Sequence, residues 1–249
     1  MKYIIVNLFF CISIFSQIPV QVTYETIRTF PESFFQKAPE EMRLSMKVQF
    51  AKPIYSQLTS YGTFSIYKSI NSKEASIPVQ INSDPTKIDL GLFIPADHEW
   101  KYKNFSAQKT TKRVVINDKN YYLEEKLNDA KFIFEKGEIY IDKYKRKLAY
   151  EVSNKNVADT VKYWYRPDIA IDDSPSNETG FPGLVLKKQS LNSTTYAIKI
   201  EFLNKTSQPE EFDKSTPIIT LEEYKKLKST ESLPKAVQNR IEGIKQNNV

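Results

Sequence analysis

Two of the chain's six glycines, Gly180 and Gly183, flank Phe181-Pro182 immediately ahead of the apolar run Leu184-Val185-Leu186. Pro182 fixes one backbone dihedral, and a glycine on each side admits a positive φ or a close approach between backbones. In a chain so poor in glycine this is a backbone specification, a sharp turn feeding a buried strand. The fold has to be built around it.

The surrounding pattern has period two. Between Arg43 and Phe50, Leu44, Met46, Val48 and Phe50 alternate with Arg43, Ser45, Lys47 and Gln49, which predicts a half-buried antiparallel strand. Ile18, Val20, Val22 and Tyr24 repeat the alternation early, and Tyr196, Ile198, Ile200 and Phe202 repeat it late. Tyr61 to Tyr67 and Arg113 to Leu123 carry aromatic and β-branched residues at strand density. Asn117-Asp118-Lys119-Asn120 and Leu191-Asn192-Ser193 each separate two such runs, and their Asn and Asp residues tolerate the backbone of tight hairpin turns. Phe132–Phe134 with Ile139–Ile141, and Leu148–Val152 with Val161–Tyr165, read as two further pairs.

Helical signals are few. Pro31 to Met42 reads as a short connector. Thr220-Leu221-Glu222-Glu223 resembles a capping box, and Pro234 to Ile244 carries a thin apolar stripe of Val237, Ile241 and Ile244. Together these features predict a mainly β protein with a single antiparallel sheet, strongly curved or half-barrel. A short, weakly helical C-terminal tail completes it. The expected organisation is a signal peptide over 1–16, one β domain over 17–212, and a polar, loosely docked tail over 213–249.

The signal-peptide reading rests on Lys2, the apolar stretch Tyr3 to Phe15, and the small-then-polar pair Ser16-Gln17. The apolar stretch is too short for a permanent membrane span. Cys11 is the only cysteine and lies within it, so the mature chain would have no disulfide, thiol nucleophile or thiolate metal site. The balance of 36 Lys+Arg against 30 Asp+Glu is mildly basic and interspersed. Its one dense cluster, Lys143 to Lys147, reads as a solvated strand edge better than as a nucleic-acid surface.

Val161-Lys162-Tyr163-Trp164-Tyr165, Pro167-Asp168-Ile169-Ala170-Ile171 and then Gly180-Phe181-Pro182-Gly183-Leu184-Val185-Leu186 resemble the GLPGLI family of exported Bacteroidetes proteins. Phe181 stands where the family has leucine and Val185 where it has isoleucine. Asp172-Asp173-Ser174-Pro175-Ser176 stands where a Gly-Pro is common. The resemblance implies an exported, β-rich protein of unknown activity, in the periplasm, cell envelope or outside the cell. It supplies no catalytic residue to carry over.

Chemistry-bearing residues are sparse. His98, in Ala96-Asp97-His98-Glu99-Trp100, is the sole histidine and cannot build a zinc set alone. Asp168, Asp172 and Asp173 lack the one-three-five spacing and glycine of a calcium loop. No nucleophile elbow or phosphate-cradling glycine loop is present. The chain therefore reads as a non-enzyme without catalytic residues, cofactor or metal. Trp164, Tyr165, Phe181, Pro182 and Gly183 are its candidate surface for an apolar ligand or an outer-membrane or envelope partner. Nucleic acid is not expected as a partner, and peripheral membrane association and oligomeric state stay open. Two alternatives remain: a hydrolase with carboxylates around Asp168 to Asp173, which would need buried acids facing a cleft, and a purely structural envelope protein.

Overall fold

Strands patterned with period two need a hydrogen-bonded neighbour on each side, and the chain meets that need with one large sheet. A computed structural model describes residues 18–38, 40–70, 75–77, 92–94, 99–127, 131–136, 139–141, 144–151, 160–204, 212–213 and 215–229. The sheet strands are β1 (Val20–Arg28), β2 (Ile54–Ser60), β3 (Phe64–Ile70), β6 (Trp100–Asn104), β7 (Lys109–Ile116), β8 (Lys119–Lys126), β9 (Phe132–Phe134), β10 (Ile139–Ile141), β11 (Tyr144–Glu151), β12 (Lys162–Arg166), β13 (Leu184–Gln189), β14 (Ser193–Phe202) and β15 (Ile218–Ile219). β4 (Ala75–Ile77) and β5 (Leu92–Ile94) form a separate ladder, and the helices are α1 (Glu32–Gln36), α2 (Glu40–Phe50) and α3 (Leu221–Ser229).

From edge to edge the order is β10-β11-β12-β13-β14-β1-β2-β3-β6-β7-β8-β15, with β9 also against β11. Every pairing is antiparallel except β15 on β8, and the sheet does not close. The protein is thus mainly β with one open sheet. β1 sits between β14 and β2, so the seam at its centre joins segments far apart in sequence. The hairpin between β7 and β8 turns on Asn117 and Asp118 at φ 49° and 61°. Two successive left-handed residues match the twist of the strands they join, as that Asn-Asp pair predicts.

Strand register sorts side chains onto two faces. On one, called inner here, Val20, Val22 and Tyr24 of β1 lie beside Ser60, Leu58 and Ser56 of β2, and then Ser65 and Tyr67 of β3. Lys103 and Thr110 continue the row that begins at Val20. The long connection from β12 to β13 lies over this face. Its Ile169 and Ile171 join Val20, Val22, Tyr24, Leu58, Tyr67, Leu184 and Leu186 in the main apolar cluster. On the opposite, outer face, Ile66, Trp100 and Tyr122 form a second cluster with Tyr102 and Phe212.

Several local expectations change. The alternating stretch Arg43 to Phe50 is not a strand but the greater part of helix α2. Its Glu, Met, Arg, Leu, Lys and Gln are strong helix formers, and Met46 and Phe50, one helical turn apart, reach the rings of Phe30, Phe34 and Phe35. Leu44 and Val48, which the strand would have buried, are 72% and 58% exposed. Along β14 the register slips opposite Thr23/Tyr24, so Ala197 and Ile200 face the main cluster while Ile198 is left exposed. A bulge of one residue inverts the alternation beyond it.

β9 and β10 do not pair with each other; β9 binds Ala149–Glu151 and β10 binds Tyr144–Arg146, the two halves of β11. The basic run around Lys145 and Lys147 consequently belongs to a strand paired on both sides rather than to an edge. The tail is seated as far as Ser229. Ile218–Ile219 adds to β8, Ile219 packs on Leu123, and the Thr220 hydroxyl and Glu223 carboxylate form the predicted capping box. The expected signal peptide over 1–16, His98, Ser153 to Asp159 and the expected helical stripe over Pro234 to Ile244 lie outside the described residues.

Candidate functional site

The glycine-proline turn acts first as architecture. A Cβ on Gly183 would stand 2.2 Å from the Arg166 carbonyl oxygen and 2.7 Å from Pro167 Cα, so only glycine lets the start of β13 meet the end of β12. Gly180 sits at φ +103°, a region that side chains disfavour. The Asp172 carboxylate accepts hydrogen bonds from the Gly180 and Phe181 amides at 2.9 and 2.8 Å and closes the connection on itself. The Leu184 and Val185 amides then donate to the carbonyls of Ile169 and Asp173. Tyr24, reaching across from β1, donates its hydroxyl to the Val185 carbonyl at 2.6 Å. The strand that follows is buried, with Leu184, Val185 and Leu186 all at 0% exposure.

The five residues singled out from sequence do not share one surface. Tyr165 and Phe181, 3% exposed each, belong to a filled cluster with Ala149, Tyr163 and Val185, against which Phe132 packs. Phe181 lies 4.3 Å from the Phe132 ring and 5.0 Å from that of Tyr163. Trp164 points to the other face, where its ring lies 4.4 Å beneath the Lys187 ammonium. Pro182 is exposed and Gly183 buried. Period-two geometry explains the split, because neighbours on β12 cannot face the same way.

Beneath the β12–β13 connection lies a buried ion pair. Lys103 Nζ contacts Asp173 Oδ1 and the Ser174 carbonyl oxygen, both at 2.6 Å, and both charged side chains are 0% exposed. Asp173 Oδ1 also accepts from the Ser174 amide. Ser60 and Ser65 share the Lys103 row with Thr110, and their hydroxyls, like Asp173 Oδ2, are buried without a hydrogen-bond partner among the described residues. A lysine in the alternating run Trp100-Lys101-Tyr102-Lys103-Asn104 reads as solvent-facing, so this pair was not legible.

Among the described residues a cleft opens on each face of the sheet. The outer one is about 550 Å³, with Tyr102, Tyr122 and Phe212 forming its aromatic part and Asn104, Thr111 and Glu124 among its polar groups. Phe212 meets Tyr102 and Tyr122 edge-on at 4.5 and 5.3 Å. The Asp213 amide donates to the Tyr122 hydroxyl, and Lys109 pairs with Glu124 at 2.6 Å on the rim. Burial raises the Tyr102 hydroxyl above its ordinary pKa. Phe212 was missed from sequence, although a lone aromatic within Glu210-Glu211-Phe212-Asp213 is the kind of signal that marks a seated anchor. The inner cleft, about 270 Å³, lies between the sheet and Pro175-Ser176 and is walled mainly by hydroxyls and charges.

The acids of the connection are each engaged in holding it. Asp168 is bound by the Arg166 guanidinium, whose hydrogen bond is the main reason its carboxyl titrates below the usual range. Asp172 holds two amides and Asp173 holds Lys103. Glu178 is pushed up by burial, but Lys188, the Ser176 hydroxyl, its own backbone and Lys103 together outweigh that and leave it low. Among the described residues no group of three His, Cys, Asp or Glu could hold a metal ion, and no helix is long and apolar enough to cross a membrane.

No family model matches the chain, and no curated protein matches it. Among solved structures the fold is similar to that of PNGF-II. In its C2 crystal form the TM-score is 0.51 at 15% identity, covering 84% of this chain and 32% of PNGF-II. In the P21 form the score is again 0.51, at 16% identity, covering 85% and 33%. The chain therefore spans about a third of the length of PNGF-II, and at this identity the likeness is one of fold alone.

Proposed function

We propose that this is an exported, non-catalytic binding or accessory protein of the cell envelope that takes an apolar ligand, or an apolar side chain of a partner, in the outer cleft. One observation carries the reading: an open cleft of about 550 Å³ whose aromatic part is Tyr102, Tyr122 and Phe212. That size lies within the range of small-molecule sites, which join apolar walls to a few fixed polar groups. The resemblance of Tyr163-Trp164-Tyr165 and Gly180–Leu186 to the GLPGLI family supports export and membership of that family. On this reading Tyr165, Phe181 and Gly183 build the sheet that carries the cleft, and Trp164 shares its outer face.

The hydrolase alternative is less well supported. It calls for free acids with raised pKa at a cleft, whereas Asp168, Asp172 and Asp173 are tied to Arg166, two amides and Lys103.

Nile red titration of the purified chain tests the proposal. Saturable fluorescence enhancement is expected, lost in Phe212→Ser and Tyr102→Ser while the far-ultraviolet dichroism of the sheet persists. Absence of uptake by the wild type, or uptake indifferent to both substitutions, overturns it. Mass spectrometry of the exported chain should find a start near Gln17, and an intact Met1 would overturn export by a cleaved signal.

A further inference from the structure

The buried ion pair stands among polar atoms that the described residues leave unpaired. Ser60, Ser65, Lys103 and Thr110 lie side by side on β2, β3, β6 and β7, in one row of the inner face. Ser60 is 1% exposed and the other three 0%. Ser60 Oγ, Ser65 Oγ, Thr110 Oγ1 and Asp173 Oδ2 each lack a hydrogen-bond partner among the described residues. Buried polar atoms are satisfied with few exceptions, so a group of them beside one ion pair calls for a common explanation.

The arrangement restricts what can satisfy them. An ammonium carries three hydrogens, and Asp173 Oδ1 and the Ser174 carbonyl account for two of those on Lys103. Asp173 Oδ2, as carboxylate, only accepts, whereas each hydroxyl both donates and accepts. An added cation would meet the ammonium, and an added anion the carboxylate, at close range in a low dielectric. A neutral group that donates and accepts suits every member. Serine and threonine are also much shorter than lysine, so their hydroxyls need a bridge to reach the level of Nζ. Neighbouring strands lie ~4.8 Å apart, a span that one water crosses with two hydrogen bonds.

We propose that the β12–β13 connection seals a small cluster of ordered waters over this row, bridging Ser60 to Ser65 and Thr110 to the Lys103–Asp173 pair. The waters supply the partner of Asp173 Oδ2 and give the pair a hydrogen-bonded shell inside the fold. Trapped water is not bulk solvent, because it is fixed by its partners and cannot reorganise around a charge left alone. The cluster is closed in by the same contacts that make the pair, since Lys103 holds Asp173 and Ser174 against the sheet. The hydroxyls thus help to seat the connection through water rather than by direct hydrogen bonds.

Water oxygen-17 relaxation dispersion of the purified chain tests this, because it counts long-lived internal waters and is blind to hydroxyl protons. The dispersion amplitude should fall by at least the share of a single water in Ser65→Ala and in Thr110→Val. Thr110→Ser, which keeps the hydroxyl, should leave it at the wild-type value. Neither alanine nor valine is larger than the residue it replaces, so the row is not crowded and the fold is kept. Urea denaturation gives a second readout. Removing a hydroxyl that water bridges lowers stability, and removing one that is bare raises it. Ser65→Ala and Thr110→Val should therefore both lower the urea midpoint. A wild-type dispersion amplitude in both variants, or a raised urea midpoint in both, overturns the proposal.

Discussion

The two faces of the sheet carry similar side chains to opposite ends. On the inner face a lysine, an aspartate and several hydroxyls are sealed beneath the β12–β13 connection, and Lys103 and Asp173 have no exposure at all. On the outer face a lysine and a glutamate, Lys109 and Glu124, meet at the same 2.6 Å while remaining 51% and 37% exposed, beside an open aromatic cleft. Distance alone therefore says little about what an ion pair does. Solvent decides: the sealed pair is bound to its partner by the cost of leaving either charge alone, and the open pair can always fall back on water.

The sharpest way to break that comparison is to remove the lysine from each. Lys103→Met leaves Asp173 buried and uncompensated and should cost about 3–5 kcal/mol, whereas Lys109→Met should cost about 0–1 kcal/mol. Urea denaturation with an unchanged slope would measure both. Equal losses would mean that water reaches the inner pair. Replacing Lys103 and Asp173 together by Met and Leu should recover most of the loss, because the apolar pair leaves no orphaned charge.

A second contrast lies within the connection. Gly183→Ala drives a methyl into the Arg166 carbonyl, which is backbone and cannot swing aside, so a loss of about 3 kcal/mol or more is expected. Gly180→Ala meets only the Phe132 ring at 3.8 Å, and its cost is the strained φ of +103°, about 1–2 kcal/mol. Thermal unfolding of the two variants ranks them, and the reverse order would mean that the strands separate easily where Gly183 brings them together.

How much of this was legible follows from what each feature depends on. The turn at Gly180–Gly183, the Asn117-Asp118 hairpin and the capping box at Thr220 are local, because their geometry is fixed by residues within a few positions. They read directly from sequence. The helix α2 did not, because Leu44, Met46, Val48 and Phe50 satisfy a strand pattern while Met46 and Phe50 also satisfy a helical one. What selected the helix is the aromatic group of Phe30, Phe34 and Phe35 that they pack against. The Ile198 bulge, the division of Trp164 from Tyr165, and the inner ion pair all depend on register between distant strands. A lysine at position 103 becomes a core residue only because β6 lies beside β3 under residues 173–174.

The mildest contrast is between two tyrosines. Tyr24 donates a 2.6 Å bond to the Val185 carbonyl from a fully buried site, while Tyr122, on the outer face, accepts a 3.3 Å bond from the Asp213 amide. Tyr24→Phe should cost about 1–2 kcal/mol at neutral pH by orphaning that carbonyl, and Tyr122→Phe less than about 1 kcal/mol. The Tyr24 penalty also depends on pH. Burial, reinforced by the Asp173 charge and by Tyr67, raises the Tyr24 hydroxyl well above its ordinary 10.0. A raised folded-state pKa gives stability that is complete below the unfolded value and is lost as pH climbs past it, since only the unfolded tyrosine then ionises. Above pH 10 the wild type should lose about 1.4 kcal/mol per pH unit from this group, a loss that Tyr24→Phe lacks. The penalty of Tyr24→Phe should thus shrink between pH 10 and 11, and a pH-independent penalty would place the Tyr24 hydroxyl in contact with solvent.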